Sequence, residues 1–247
     1  MTLIVIGSFV SPYVRKVLAC LELKGLDYEV DPITPFFGND EFTRLSPLRR
    51  IPVLIDGDFH ASDSSVICAY LDEAYGGYAL LPETPAERAK ARWLEEFADT
   101  RLGDLFIWGL FYQKVVRRLV WQEEPDRERV AKVVDEDAPA ALDYLESELP
   151  QDGYVFGSLG LADIALASFF VNARYAGFEV DAARWPRVTR LVGDVLAEPA
   201  FKKLLGFEAI QMNASIQGRR QALREAGARL TEQSWGVREP RRGMMAL

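Results

Sequence analysis

Ser11 is the residue with the most chemistry within its reach. It follows a short apolar run, Leu3-Ile4-Val5-Ile6, and precedes Pro12, with Val14, Val17, Leu18 and Leu21 recurring at i, i+3, i+4 and i+7. That spacing predicts a buried strand, a loop and a helix stopped by Gly25, with Ser11 as N-cap and Pro12 at the first helical position, where a missing N–H costs nothing. A hydroxyl so placed lies beside backbone N–H groups at the positive end of a helix dipole, surroundings that favour an anion. Ser before Pro is also ordinary capping chemistry, so the pair alone does not separate a structural cap from a donor to an anionic ligand.

The elements that must position this hydroxyl follow in order. Tyr28-Glu29-Val30 reads as a second strand, parallel to the first through a right-handed helical crossover. A loop with Pro32 and Pro35 leads to a short helix near Asp40–Leu45, ended by Ser46-Pro47. Val53-Leu54-Ile55 and Phe59-His60-Ala61 are strands joined at Asp56-Gly57, a strong hairpin signal. Pro52 leads into an apolar strand, so it belongs at a strand start or in a cis turn. Ser62-Asp63-Ser64 opens another helix, whose apolar face is Val66, Ile67, Tyr70, Leu71 and Ala74. Here too, polar caps mark a helix N-terminus.

After Leu80-Leu81-Pro82-Glu83 the pattern becomes helical throughout. Thr84-Pro85-Ala86-Glu87 is a capping box with proline at N1, predicting a long helix from Pro85 into the Phe106–Tyr112 region. Others are expected around Glu128–Leu149, Leu161–Gly177, Pro186–Leu196 and Pro199–Phe207. A βαβαββα half followed by a helical half predicts two domains, residues 1–79 and 84–215. Residues 216–247 form an extension with one more helix on Ala222, Leu223, Ala226 and Leu230, a run of arginines, and fraying at Pro240-Arg241-Arg242-Gly243.

Composition excludes several classes. The formal net charge of −8 argues against a nucleic-acid surface. Two cysteines, Cys20 and Cys68, are no disulfide scaffold and read as small buried residues. His60 is the single histidine, so a histidine triad or a multi-histidine metal site has little to work with. No basic leader precedes an apolar stretch and no apolar run approaches ~20 residues. A soluble, cytoplasmic protein is expected, with no membrane partner.

Taken together, the motifs resemble those of the glutathione transferases, over about residues 2–207. Ser11-Pro12-Tyr13-Val14-Arg15-Lys16-Val17 is similar to the serine-type start of that family's first helix. Ile51-Pro52-Val53-Leu54 matches its Val-Pro-x-Leu segment, and Asp63-Ser64-Ser65-Val66-Ile67 its Glu-Ser-x-Ala-Ile segment, with a shorter acid. Gly157-Ser158-Leu159-Gly160-Leu161-Ala162-Asp163-Ile164 resembles its buried capping segment, with Gly160 where Ser or Thr is usual.

The resemblance implies a thioredoxin-like N-terminal domain joined to an all-helical domain, a homodimer, and glutathione as co-substrate without a metal. It implies that Ser11 faces the thiol, that Ile51, beside a cis Pro52, pairs its backbone with the cysteinyl unit, that Asp63 and Ser64 hold the γ-glutamyl end and that Arg50 lies beside the glycyl carboxylate. Phe9, Phe106, Trp108, Phe111 and Tyr112 are candidates for an apolar electrophile pocket, and Ser8 and Tyr13 are alternatives to Ser11. The expected reaction is attack of a glutathione thiolate on a small hydrophobic electrophile. Isomerisation, dehalogenation, ether cleavage and a non-catalytic scaffold role stay open. Serine at position 11 disfavours thiol–disulfide chemistry, because a hydroxyl cannot form a mixed disulfide.

Overall fold

The computed structural model describes residues 2–215 and 218–242. The chain divides into two units, Met1–Ala79 with Pro199–Leu247, and Leu80–Glu198. The first begins with β1 (Leu3–Ile6), α1 (Pro12–Leu23) and β2 (Tyr28–Asp31), then a 3-10 turn at Pro35–Phe37 and α2 (Asp40–Leu45). A hairpin of β3 (Val53–Asp56) and β4 (Phe59–Ser62) leads into α3 (Ser64–Ala74). The sheet order is β2-β1-β3-β4, with β1 parallel to β2 and β3 antiparallel to both its neighbours. The strands, hairpin and helices fall where the apolar spacing and the turn residues predict them.

α1 departs from the expected single stripe. Every residue from Val14 to Leu21 is buried, Arg15 and Lys16 included, because α3 and α9 (Pro199–Asn213) both pack against it. Arg15 pairs with Glu208 on α9, with Nη2 and Nε donating at 2.6 and 3.1 Å. Lys16 Nζ donates to Ser65 Oγ at 3.1 Å. Burial pushes the Glu208 carboxyl up, with the Arg15 guanidinium opposing it. Cys20 and Cys68 are both fully buried, their sulfurs 3.6 Å apart.

The second unit is helical. α4 (Pro85–Phe97) is capped by Thr84, whose Oγ1 accepts from Glu87 N, and runs on into a π-wound stretch, Ala98–Trp121. It ends at Gln122, whose left-handed φ of 56° closes the helix. Gly109 lies in this stretch, and a Cβ there would come within 2.7 Å of Val133 Cγ2, so only glycine admits that neighbour. Then follow α5 (Arg127–Lys132), a π turn at Val133–Asp137, α6 (Ala138–Glu148), α7 (Leu161–Tyr175) and α8 (Pro186–Ala197). α7 is buried from Leu161 to Ala173 and forms the centre of the unit, packed against α4, the π-wound stretch and α8.

At the α7 start, Gly160 has no side chain to cap with. Asp163 substitutes, its fully buried carboxylate accepting from Gly160 N and Val155 N, each at 2.9 Å. This is one half of a capping box, turned inward to tie the preceding loop to the helix.

The chain from Pro199 belongs to the same unit as the sheet. Gln211 on α9 accepts from Phe9 N at 2.9 Å and donates to Pro32 O at 2.9 Å. α10 (Arg219–Glu225) is short, and the tail after it lies along the β2 edge. Arg229 O accepts from Val30 N at 2.9 Å, and Thr231 N donates to Val30 O at 3.2 Å. Fully buried Asp31 accepts from Arg220 Nη1 at 2.7 Å, Ser234 Oγ at 3.0 Å and Trp235 N at 2.8 Å. The expected fraying is corrected at Arg241, whose N–H donates to Phe36 O at 2.7 Å and whose guanidinium meets Asp40. Gly243 lies outside the described residues. Three arginines of the tail, Arg220, Arg229 and Arg241, pair with this chain's own Asp31, Asp27 and Asp40.

Burial pushes the Asp163 carboxyl up to about 6, against the backbone hydrogen bonds and the Arg190 charge that pull it down. A folded-state value above the ordinary one gives stability that is full below pH ~4 and is lost as pH rises through about 6, by roughly 2–3 kcal/mol. Chemical denaturation of wild type and Asp163→Asn from pH 4 to 6.5 checks this. The wild type should lose that much more than the variant, and parallel slopes would refute it.

Candidate active site

The register of the sheet assembles the site. Ile6 at the end of β1 pairs with Val53 at the start of β3, and Val53 pairs with Ser62 at the end of β4. The segments just beyond these residues, 7–11, 51–52 and 63–64, therefore emerge at one end of the sheet. It is the carboxyl end of β1, the side on which open α/β sheets bind ligands.

Gly7 sets the spacing there. A Cβ at this position would lie 2.4 Å from Val14 Cγ2 and 3.3 Å from Ile51 Cβ, so its absence lets the first turn of α1 and the Ile51 segment close together. Ser11 is the N-cap of α1, in extended backbone, and its half-buried Oγ accepts from Val14 N at a long 3.4 Å. Capping uses the oxygen as acceptor. The O–H remains to donate, so cap and anion donor are compatible in one residue.

The Ile51–Pro52 peptide bond is cis. Ile51 is half-buried, and its backbone N–H and C=O have no hydrogen-bond partner among the described residues. A backbone with an open donor and acceptor can pair with a peptide-like ligand. Arg50, next to it, is exposed, and its guanidinium makes no bond among the described residues, while Ser46 Oγ grips its backbone on both sides, at 2.9 and 3.0 Å. Arg49 is the opposite: buried, at φ 51°, it donates to Gly38 O at 2.9 Å, Pro35 O at 3.1 Å and Thr43 Oγ1. Sequence reasoning passed over this structural role, because two adjacent arginines carry no signal of which one is buried.

Asp63 is the third position. It stands at φ 90° and ψ 128°, a strained conformation for a residue with a Cβ, and its Oδ1 accepts from Ser65 N at 3.0 Å and Val66 N at 3.2 Å. Its Oδ2 has no partner among the described residues. Ser64, beside it, is buried at the first position of α3.

The aromatic candidates separate by burial. Phe106 is fully buried between Phe170 and Phe178, at centroid distances of 5.1 and 5.4 Å. Phe111 faces Tyr175 at 6.4 Å, and half-buried Trp108 meets Tyr112 at 5.6 Å. Phe9 is buried against Phe207 at 5.3 Å and lines a cavity of about 250 Å³ with Tyr28, Val30 and Ala228. Among the described residues no cluster of three or more His, Cys, Asp or Glu is placed to hold a metal, and no helix is long and apolar enough to cross a membrane.

A strand–loop–hydroxyl–helix start, a cis proline before an antiparallel hairpin and an acid-serine helix start meet at one sheet end of a thioredoxin-like fold. The comparisons agree. Residues 5–79 match the glutathione S-transferase N-terminal domain and residues 114–193 the C-terminal domain. Glutathione S-transferase 3 of Zea mays is 32% identical over 205 residues, covering 80% of this chain and 90% of the relative. A glutathione S-transferase from Rhodospirillum rubrum F11 superposes with a TM-score of 0.74 at 27% identity, over 83% of this chain and 92% of that one. A maleylacetoacetate isomerase from Methylobacterium extorquens AM1, with bound malonate and GSH, superposes at 0.68 with 28% identity, over 83% and 97%. The chain belongs to the glutathione S-transferase family.

Strain and capping at Asp63 oppose each other, which makes a test. Asp63→Ala loses the cap and keeps the positive φ, and should cost about 2 kcal/mol by urea denaturation. Asp63→Gly relieves the strain and should cost less than half as much. Equal losses would remove strain from the account.

Proposed function

We propose that the protein binds glutathione and activates its thiol as a thiolate for attack on a small hydrophobic electrophile, with Ser11 as the donor. One observation carries this reading: the register Ile6–Val53–Ser62 gathers the Ser11 hydroxyl, the unpaired backbone of Ile51 and the start of α3 at one end of the sheet. Glutathione is an extended tripeptide with carboxylates at both ends. The Ile51 backbone takes its cysteinyl unit, Ser64 and the α3 N-terminus its γ-glutamyl carboxylate, and Arg50 its glycyl carboxylate. Asp63, with Oδ1 spent on the cap, has Oδ2 for the α-ammonium.

Magnitudes permit the chemistry. A thiol of pKa ~8.5 is about 3% thiolate at pH 7, and lowering it by ~2 units takes about 2.7 kcal/mol. One hydrogen bond to a charged sulfur supplies roughly 1.5–3 kcal/mol, and a helix N-terminus up to ~2. Ser11 Oγ–H donating to the sulfur is sufficient with the dipole behind it, and no base is needed. Attack then forms a bond from sulfur to the electrophilic carbon and expels the leaving group.

We assign the electrophile to Trp108, Phe111 and Tyr112 of the helical unit. Full burial in the core moves Phe106 from that wall to its support. Isomerisation is the second reading, favoured by the isomerase among the structural neighbours; the same thiolate would add to the substrate and leave again. A homodimer in the cytoplasm is the assembly this reading implies, and sedimentation tests it.

Ser11→Ala should retain glutathione binding but lose about 10- to 100-fold in kcat/KM toward a halonitroarene, with the thiolate ultraviolet absorbance of the complex shifting to higher pH. An unchanged titration curve would move the role to Ser8 or Tyr13.

A further inference from the structure

We propose that the chain beyond α10 is a working part of the binding edge: residues 229–241 brace the 36–52 segment, and Trp235 is the positioning residue that sets Ile51. The inference rests on the glutathione reading for its functional consequence. The tail lies outside both matched family domains, so nothing in the family match accounts for it.

The segment between β2 and β3 has little to hold itself. α2 spans six residues with Phe42 as its one buried side chain, far short of the length at which a helix stands alone. Its stability must come from neighbours on two sides. On one, Arg49 ties Pro35 O, Gly38 O and Thr43 together. On the other is the tail. Trp235 O accepts from Asn39 N at 2.8 Å, and Asn39 is itself the α2 cap, its Oδ1 accepting from Phe42 N at 2.8 Å. Val237 N donates to Phe37 O at 2.7 Å. Arg241 adds its bond to Phe36 O and its ion pair with Asp40.

Trp235 carries the coupling to the site. It is 8% exposed and packs in one cluster with Ile6, Phe42 and Val53, and Ile51 rests against that cluster. Ile6 and Val53 are the register pair from which the site emerges. Asp31, fully buried, fixes the ring by accepting from Trp235 N and Ser234 Oγ, with Arg220 balancing its charge. Trp235 and Ile51 thus share one small core, so loss of the indole would reach the Ile51 segment through Ile6, Phe42 and Val53. Its Nε1–H finds no acceptor among the described residues, so the ring is held by shape and by its backbone, not by its polar edge.

The test uses the full chain. In Trp235→Ala, hydrogen exchange without glutathione should quicken at least about tenfold across residues 36–52 and much less in the rest of the sheet. KM for glutathione should rise about tenfold with kcat kept within about twofold, because the docking edge loses preorganisation while Ser11 is untouched. Trp235→Phe removes the unpartnered donor and part of the volume, and guards against a variant that does not fold; it should show the same pattern at about twofold. Exchange that is unchanged in 36–52, or that quickens uniformly over the chain, overturns the brace, and so does an unaltered KM. Exchange that quickens only in 36–52 of Trp235→Ala, with a wild type that does not bind glutathione, upholds the brace and overturns the glutathione reading instead.

Discussion

The site depends on the antiparallel insertion of β3 between β1 and β4. Because β3 runs against β1, the end of one strand lies at the start of the other, and the hairpin turn returns β4 to the same level. A side-chain period of two makes this register exacting. A slip by one residue would carry Val53 and Leu54 to the wrong faces of a sheet whose core they fill. The three loops that hold the polar groups thus inherit their positions from the burial of apolar strand residues.

Around that frame, polar groups are placed where the backbone leaves bonds unmade. Ser11 and Asp63 both cap helices, and each keeps an atom over: the O–H of one, the second carboxylate oxygen of the other. Ile51 leaves its peptide groups open beside the cis proline. The same economy governs the helical unit at Gly160, where the Asp163 carboxylate accepts from the backbone N–H groups of Gly160 and Val155 and ties the loop to the helix.

The C-terminal chain shows how edge strands are managed. β2 borders the sheet and would present unpaired N–H and C=O groups to solvent. Arg229 and Thr231 take those of Val30, and Asp31 is buried with three donors around one carboxylate. What reads in the sequence as a basic, solvated tail is the cover of an exposed edge. Three of its arginines, Arg220, Arg229 and Arg241, lie opposite aspartates of the first 40 residues, which a count of charges along the chain cannot reveal.

Much of this protein was legible from its residues alone. The βαβαββα order, the Asp56-Gly57 hairpin, the Thr84 capping box and the N-cap at Ser11 follow from local periodicity and turn chemistry, whose causes lie within a few residues. The motifs also located the candidate site, since Ser11, Ile51-Pro52 and Asp63-Ser64 stand at element boundaries. Which of Arg49 and Arg50 is buried, the full burial of α1 with Arg15 against Glu208, the packing of Phe106 and the anchoring of Trp235 required the tertiary structure. Each involves partners from 11 to 204 residues apart, and no pattern along the chain specifies which distant surface will close over a given side chain. Short-range rules fix the elements, and packing across the chain decides what each face meets.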